Sequence, residues 1–127
     1  MKKILIVDDE ESFCFFLKKN LESAGGFEVT ACSDAGEAVG QAIALQPDLI
    51  LLDILMPKIT GPEVAELLHQ NPKTGNIPVI FLTAVATTQD TGESNKVGGQ
   101  FVVAKPVQIH ELLKVIQKAS PDIGGGR

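Results

Sequence analysis

The chain contains no tryptophan and no tyrosine. That removes the usual aromatic platforms on which unpaired bases stack. It has two cysteines, Cys14 and Cys32, in neither a Cys-x-x-Cys nor a metal-type spacing. They read as two buried thiols of a reducing compartment. Positive charge is in short supply: Lys and Arg total 11 against 16 Asp and Glu, a net charge of −5. That argues against a nucleic-acid backbone or an anionic membrane as the partner. No apolar run approaches the roughly 20 residues needed to span a bilayer. The start, Met1-Lys2-Lys3 followed by Ile4–Val7, stops at Asp8-Asp9-Glu10-Glu11, short of the about 7–15 apolar residues of a secretory signal. A cytoplasmic protein without membrane insertion is expected. No G-x-x-x-x-G-K-[ST] loop is present, so nucleotide hydrolysis is not supported.

What remains is a 127-residue chain with 44% hydrophobic and 21% charged residues, the balance of one globular domain. Five short β-favouring runs recur: Ile4–Val7, Phe27–Cys32, Leu49–Leu52, Val79–Leu82 and Phe101–Ala104. Stretches with helical spacing lie between them. The first has Phe13, Phe16, Leu17 and Leu21 on one face. The second has Ala38, Val39, Ala42 and Ile43, opened by Asp34 with Glu37 three residues on, a capping-box pattern. The third has Val64, Leu67 and Leu68, with Pro62 near its start. The last has Ile109, Leu112, Leu113 and Ile116. Segment Ala86–Gly99 is rich in Thr, Asn and Gly, with Val97 almost its only large apolar residue. A short, frayed helix is expected there. Strand and helix alternate five times, which implies an α/β fold: a doubly wound five-stranded parallel sheet with helices on both faces. The second run alternates apolar and polar residues, as an edge strand does. Residues 120–127, Ser120 to Arg127, read as a flexible C-terminal tail with no output domain attached.

Ligands of open parallel α/β sheets sit at the carboxyl ends of the strands. The run ends carry Asp8-Asp9-Glu10, Asp53, Thr83 and Lys105-Pro106. Clustered carboxylates repel unless a cation sits among them. An all-oxygen set without Cys or His favours Mg2+ or Mn2+. Such an ion beside a carboxylate, an ammonium and a hydroxyl suits phosphoryl transfer to an aspartyl oxygen. Each group alone has a plainer reading. The acids could complement the dipole of the first helix, Asp53 could close a strand, Thr83 could be a turn hydroxyl, and Lys105 a solvated loop residue. The joint placement, one group at the end of each of several strands, favours a site.

Val7-Asp8-Asp9-Glu10, Asp48-Leu-Ile-Leu-Leu-Asp53 with Met56-Pro57 and Gly61, Phe81-Leu82-Thr83-Ala84 and Lys105-Pro106 occur in order. Asp9 and Asp53 are 44 residues apart, Asp53 and Thr83 are 30 apart, and Thr83 and Lys105 are 22 apart. Over residues 1–119 the sequence resembles a receiver domain of bacterial two-component response regulators. The resemblance implies strand order 2-1-3-4-5. It implies that Asp53 is the phosphoacceptor for a sensor histidine kinase or phosphotransfer protein. Asp8, Asp9, Asp53 and the backbone carbonyl of Leu55 would hold Mg2+. Thr83 and Lys105 would engage the phosphoryl group, and Lys105–Pro106 would be cis. A downstream protein would read the change through the loops after the fourth and fifth runs. The expected state is a monomer or weak homodimer, and not a conventional turnover enzyme.

Three positions depart from the family pattern. Val102 stands where an aromatic rotor is usual, with Phe101 one residue earlier. Thr60, before Gly61, replaces a frequent Asp. Leu55 and Val85 are apolar where polar groups can orient an attacking water, so slow loss of the phosphoryl group is expected. The competing readings are a phosphorylation-independent adaptor on the same fold, an Asp-nucleophile hydrolase and a flavin-binding module. Asp53 is followed by Ile54-Leu55 rather than Asp-x-Asp, which weakens the hydrolase. Four acids after the first run weaken the flavin site.

Overall fold

The computed structural model describes residues 2–84, 92–97 and 100–119. Its elements are β1 (Lys2–Val7), α1 (Glu11–Ala24), β2 (Phe27–Cys32), a 3₁₀ turn (Ala35–Glu37), α2 (Ala38–Leu45), β3 (Leu49–Asp53), α3 (Gly61–Gln70), β4 (Val79–Thr83), β5 (Gly92–Val97), β6 (Gln100–Ala104) and α4 (Ile109–Ala119). The sheet order is β2-β1-β3-β4-β6-β5. Its first five strands run parallel. They give the expected 2-1-3-4-5 order, with β6 as the fifth parallel strand.

The sequence pattern explains the sandwich. Strands β3 and β4, and β1 from Ile4 onward, are apolar at nearly every position, so alternate side chains can be covered on both faces. Ile4, Ile6, Leu49, Leu51, Ile80 and Leu82 pack with Leu17 and Leu21 of α1 and with Leu112 and Ile116 of α4. Leu5, Val7, Ile50, Leu52, Phe81 and Val102 pack with Ala38 and Ala42 of α2 and with Val64 and Leu68 of α3. β2 is an edge strand, as its alternation suggested. Both cysteines are buried free thiols.

Several local expectations are corrected. Within Ala86–Gly99, residues 92–97 form an antiparallel edge strand against β6, with a register shift between Gly92 and Lys96. A helix lacking an apolar stripe gains nothing by packing. The same residues as a strand need only the backbone groups along the otherwise open edge of β6. On α1 the buried stripe is Cys14, Leu17 and Leu21, whereas Phe16 is exposed and stacks obliquely beside Phe13, with ring centroids 6.4 Å apart. Asp34 caps the 3₁₀ turn, accepting from the Gly36 N–H at 2.9 Å, so Asp34 and Glu37 do not form a capping box. The capping box stands instead at α3, between Thr60 and Glu63, with Pro62 in the first turn. The segments 85–91, 98–99 and 120–127 lie outside the described residues, and with them the expectations for Val85 and for the tail.

Candidate functional site

Parallel pairing in a single register brings the carboxyl ends of β1, β3, β4 and β6 to one edge. Val7 lies opposite Leu52, Asp53 opposite Leu82, and Thr83 opposite Ala104. Asp8 follows β1, Asp53 and Thr83 close β3 and β4, and Lys105 follows β6. Asp8, Asp53 and Thr83 are buried, while Asp9 is exposed. Asp8, Asp9 and Asp53 each offer a carboxylate oxygen, all within 4.8 Å of one another.

Lys105 draws this cluster together. Its ammonium lies 2.7 Å from Asp8 Oδ2, 3.1 Å from Glu10 Oε1 and 3.6 Å from Asp53 Oδ1. It also sits 4.4 Å from the centre of the Phe13 ring, on whose π face a cation is stabilised. The backbone sets its height: the Lys105 N–H donates to Thr83 O at 2.8 Å, extending the sheet ladder one residue past β6. The Lys105–Pro106 peptide is cis. Burial alone would lower the Lys105 pKa, but the hydrogen bond and charge of Asp8, then Glu10 and Asp53, outweigh it and hold the ammonium above its ordinary range.

Asp53 is pushed the other way. Burial first, then the charge on Asp8, raises its carboxyl to about 6, against the opposing pull of Lys105 and of a hydrogen bond from the Leu55 N–H. Asp8 Oδ1 accepts from the Glu10 N–H at 2.9 Å. Its Oδ2 is buried and pairs with the Lys105 ammonium at 2.7 Å. Asp8, Glu10 and Asp53 therefore share one ammonium, while Asp9 adds a further negative charge beside Asp8 and Asp53. Such an excess of carboxylate could hold a hard divalent cation, and the all-oxygen donor set fits Mg2+ or Mn2+.

The Asp53 end is also shaped by Gly61, the first residue of α3. A Cβ there would lie 2.3 Å from the carbonyl oxygen of Asp53 and 2.9 Å from Cα of Ile54. The Gly61 N–H donates to Ile54 O at 2.8 Å. The helix thus starts directly against the backbone at the end of β3, and only glycine fits. Lys58, in the intervening turn, has φ 75°, a left-handed conformation that costs most side chains energy.

The strand-end residues Asp8, Asp9, Asp53 and Lys105 converge as expected, and Thr83 stands at the neighbouring strand end. Leu55 contributes a backbone N–H to Asp53, and the residue is 53% exposed. Val102 is buried among the α2 and α3 side chains, whereas Phe101 packs toward α1 and α4. Side chains alternate across a strand, so Phe101 cannot serve in place of an aromatic at 102. Two contacts of Lys105 are not read from the sequence: Glu10, which stands there only as one of the strand-end acids, and Phe13. Their roles depend on how α1 leaves β1, which no local pattern encodes. The Thr60–Glu63 box was readable, since Thr-x-x-Glu with an intervening proline is a helix-start pattern.

Comparison with known proteins agrees with this geometry. A family model described as the response regulator receiver domain matches residues 4–117. The chain is 36% identical over 113 residues to the DNA-binding dual master transcriptional regulator RpaA of Synechocystis, covering 89% of this chain and 46% of RpaA. It thus spans about half the length of that relative. Among solved structures, the chemotaxis protein CheY4 of Vibrio cholerae superposes with a TM-score of 0.80 at 30% identity, covering 94% of this chain and 98% of that one. The receiver domain of the sensor histidine kinase PA1611 of Pseudomonas aeruginosa, which has a magnesium ion coordinated in its active site cleft, gives 0.79 at 27% identity, covering 94% and 98%. With the sheet order, the strand-end acids and the match over residues 4–117 in agreement, the chain belongs to the response regulator receiver domains of two-component systems.

Proposed function

We propose that this domain accepts a phosphoryl group on Asp53 from the phosphohistidine of a sensor histidine kinase or phosphotransfer protein, and passes the change to a downstream protein. The observation that carries the reading is the buried Asp53 carboxylate within an acidic cluster, with Lys105 Nζ 3.6 Å from its Oδ1. With its pKa near 6, Asp53 is mostly ionised at neutral pH, so an oxygen is available to attack phosphorus in line. Asp8, Asp9, Asp53 and the Leu55 carbonyl would hold Mg2+ or Mn2+. Bound there, the cation neutralises charge on the phosphoryl oxygens. Lys105, 3.6 Å from Asp53 Oδ1, supplies a second positive charge. The Thr83 hydroxyl, at the adjacent strand end, is the group to engage a phosphoryl oxygen once Asp53 is modified. Since the product is a modified side chain, the domain is a signalling component and not a conventional turnover enzyme.

Phosphorylation adds roughly one to two negative charges at one point. Lys105 and Thr83 respond first, and they sit at the starts of the loops after β6 and β4. β5 lies between these loops along the chain and is held to the sheet only through β6, with an interrupted register. Such an element is easily biased. Amide exchange of residues 92–97 is expected to change on phosphorylation; identical exchange would remove β5 from the signal path. The central test is intact mass after incubation with Mg2+ and either acetyl phosphate or phosphoramidate, on wild type and Asp53→Asn. Gain of one phosphoryl group by wild type alone supports the proposal. Failure of both donors, and of a panel of histidine kinases, leaves the phosphorylation-independent adaptor as the better reading.

A further inference from the structure

Glu10 is the acid of this cleft that the proposed reaction leaves unused. It follows Asp8-Asp9, precedes α1, and its side chain is 62% exposed while that of Lys105 is 10% exposed. Its Oε1 lies 3.1 Å from the same ammonium that lies 3.6 Å from Asp53 Oδ1. The two carboxylate oxygens are therefore no more than about 7 Å apart, within the ~8 Å screening length of physiological salt. Glu10 also lines a groove of about 520 Å³ that includes Phe13, Phe16, Lys105, Pro106 and Val107. It thus stands at the boundary between that groove and the acceptor carboxylate, with its carboxylate turned to solvent.

We propose that Glu10 is a specificity-determining residue that selects the phosphodonor by charge, disfavouring acyl phosphates relative to phosphoramides. This rests on the reading of Asp53 as phosphoacceptor. In both reactions an Asp53 oxygen forms the new bond to phosphorus. With acetyl phosphate the P–O bond to the acyl oxygen breaks, and acetate leaves with the electron pair. With phosphoramidate the P–N bond breaks, and the nitrogen, already protonated, leaves as ammonia. Near neutral pH acetyl phosphate is a dianion with no cation of its own. Phosphoramidate is a zwitterion whose positive nitrogen reduces its net charge to that of a monoanion. A protonated phosphoimidazole, as on a phosphorylated histidine, belongs to the second kind. One unit of charge at about 7 Å from Glu10, in surroundings between bulk water and half its dielectric constant, changes the encounter by about three- to eightfold.

The experiment measures second-order rate constants for Asp53 labelling at saturating Mg2+, by intact mass, with acetyl phosphate and with phosphoramidate. It compares wild type, Glu10→Gln and Glu10→Asp at low salt and at about 1 M salt, where the screening length shrinks to about 3 Å. Glu10→Gln should raise the acetyl phosphate rate about three- to eightfold more than the phosphoramidate rate, with the difference lost at high salt. Glu10→Asp, which keeps the charge but shortens the reach to Lys105, should keep the wild-type donor ratio. An equal change with both donors in Glu10→Gln would mean that Glu10 acts only by holding Lys105, and would overturn the selection. So would an aspartate variant that behaves like the glutamine one. Wild type labelled by neither donor would overturn the donor selection, and failure with a panel of histidine kinases as well would overturn the phosphoacceptor reading itself.

Discussion

Replacing Asp53 by asparagine should stabilise the metal-free domain at neutral pH, although it removes the proposed acceptor. The Asp53 carboxyl titrates at about 6 in the folded protein against an ordinary value of 3.8. Between those values the native state binds a proton that the unfolded chain does not. The Asp53 contribution to stability therefore falls as pH rises from 3.8 to 6, and above that range its ionised form is a fixed cost. A shift of about two units corresponds to at most about 3 kcal/mol. The cleft is open to solvent on the Asp9 and Glu10 side, and screening reduces this to about 1–2 kcal/mol. Asparagine mimics the protonated form and removes the cost. With a urea dependence of about 1–3 kcal/mol per molar, the midpoint should move up by about 0.3–2 M. The assay is urea unfolding of both proteins in EDTA at several pH values between 4 and 8. The gap should be full above pH 6 and close toward pH 4. Saturating Mg2+ should narrow it at pH 7.5, because a ligand of the native state stabilises wild type more than a variant lacking one carboxylate. An asparagine variant that is less stable in EDTA at pH 7.5, or a gap independent of pH, would refute the view that repulsion and burial at Asp53 dominate this cleft.

Three further outcomes follow from the geometry. Gly61→Ala forces a Cβ against the Asp53 carbonyl and should cost about 1–3 kcal/mol in thermal or urea unfolding, with slower labelling of Asp53 because the acceptor strand end must shift. Thr60→Ala removes the helix-start hydroxyl that accepts from the Glu63 N–H and should cost about 1 kcal/mol. A double variant with Glu63→Ala should cost less than the two single changes combined, since both belong to one box. Leu55 exposes its side chain beside the acceptor without a polar group. Leu55→Asn should shorten the lifetime of phosphorylated Asp53 severalfold, measured by decay of the mass adduct; an unchanged lifetime would count against a water-orienting role for that position.

Much of the site was legible because its residues stand at strand ends. An apolar run that stops at an acid marks both the length of a buried strand and the place where its chain leaves the core. Asp8, Asp53, Thr83 and Lys105 could be placed together from four such endings, and the receiver resemblance supplied their order across the sheet. The patterns that failed were those in which local sequence underdetermines the partner. Phe16 has helical spacing with Leu17, yet Cys14 takes the inward position, since a few tens of degrees of rotation of α1 decide which side of the stripe is buried. Asp34 and Glu37 match a capping box, but the intervening Ala35-Gly36 turns as a 3₁₀ segment and Glu37 never reaches back. Residues 92–97 have weak helical character, and the free edge of β6 offers them hydrogen bonds that a propensity scale cannot register.

Taken alone, the order of residues determined the alternation of strands and helices, the two-sided covering of the sheet and the acids, hydroxyl and lysine at its carboxyl edge, because these depend on periodicity and on where apolar runs stop. The tertiary structure decided that Lys105 is shared among Asp8, Glu10 and Asp53, that Gly61 abuts the Asp53 backbone, and that β5 completes the sheet. Those features join residues from 8 to 105 through distances of a few ångströms, and only the packing of the helices against the sheet sets such distances.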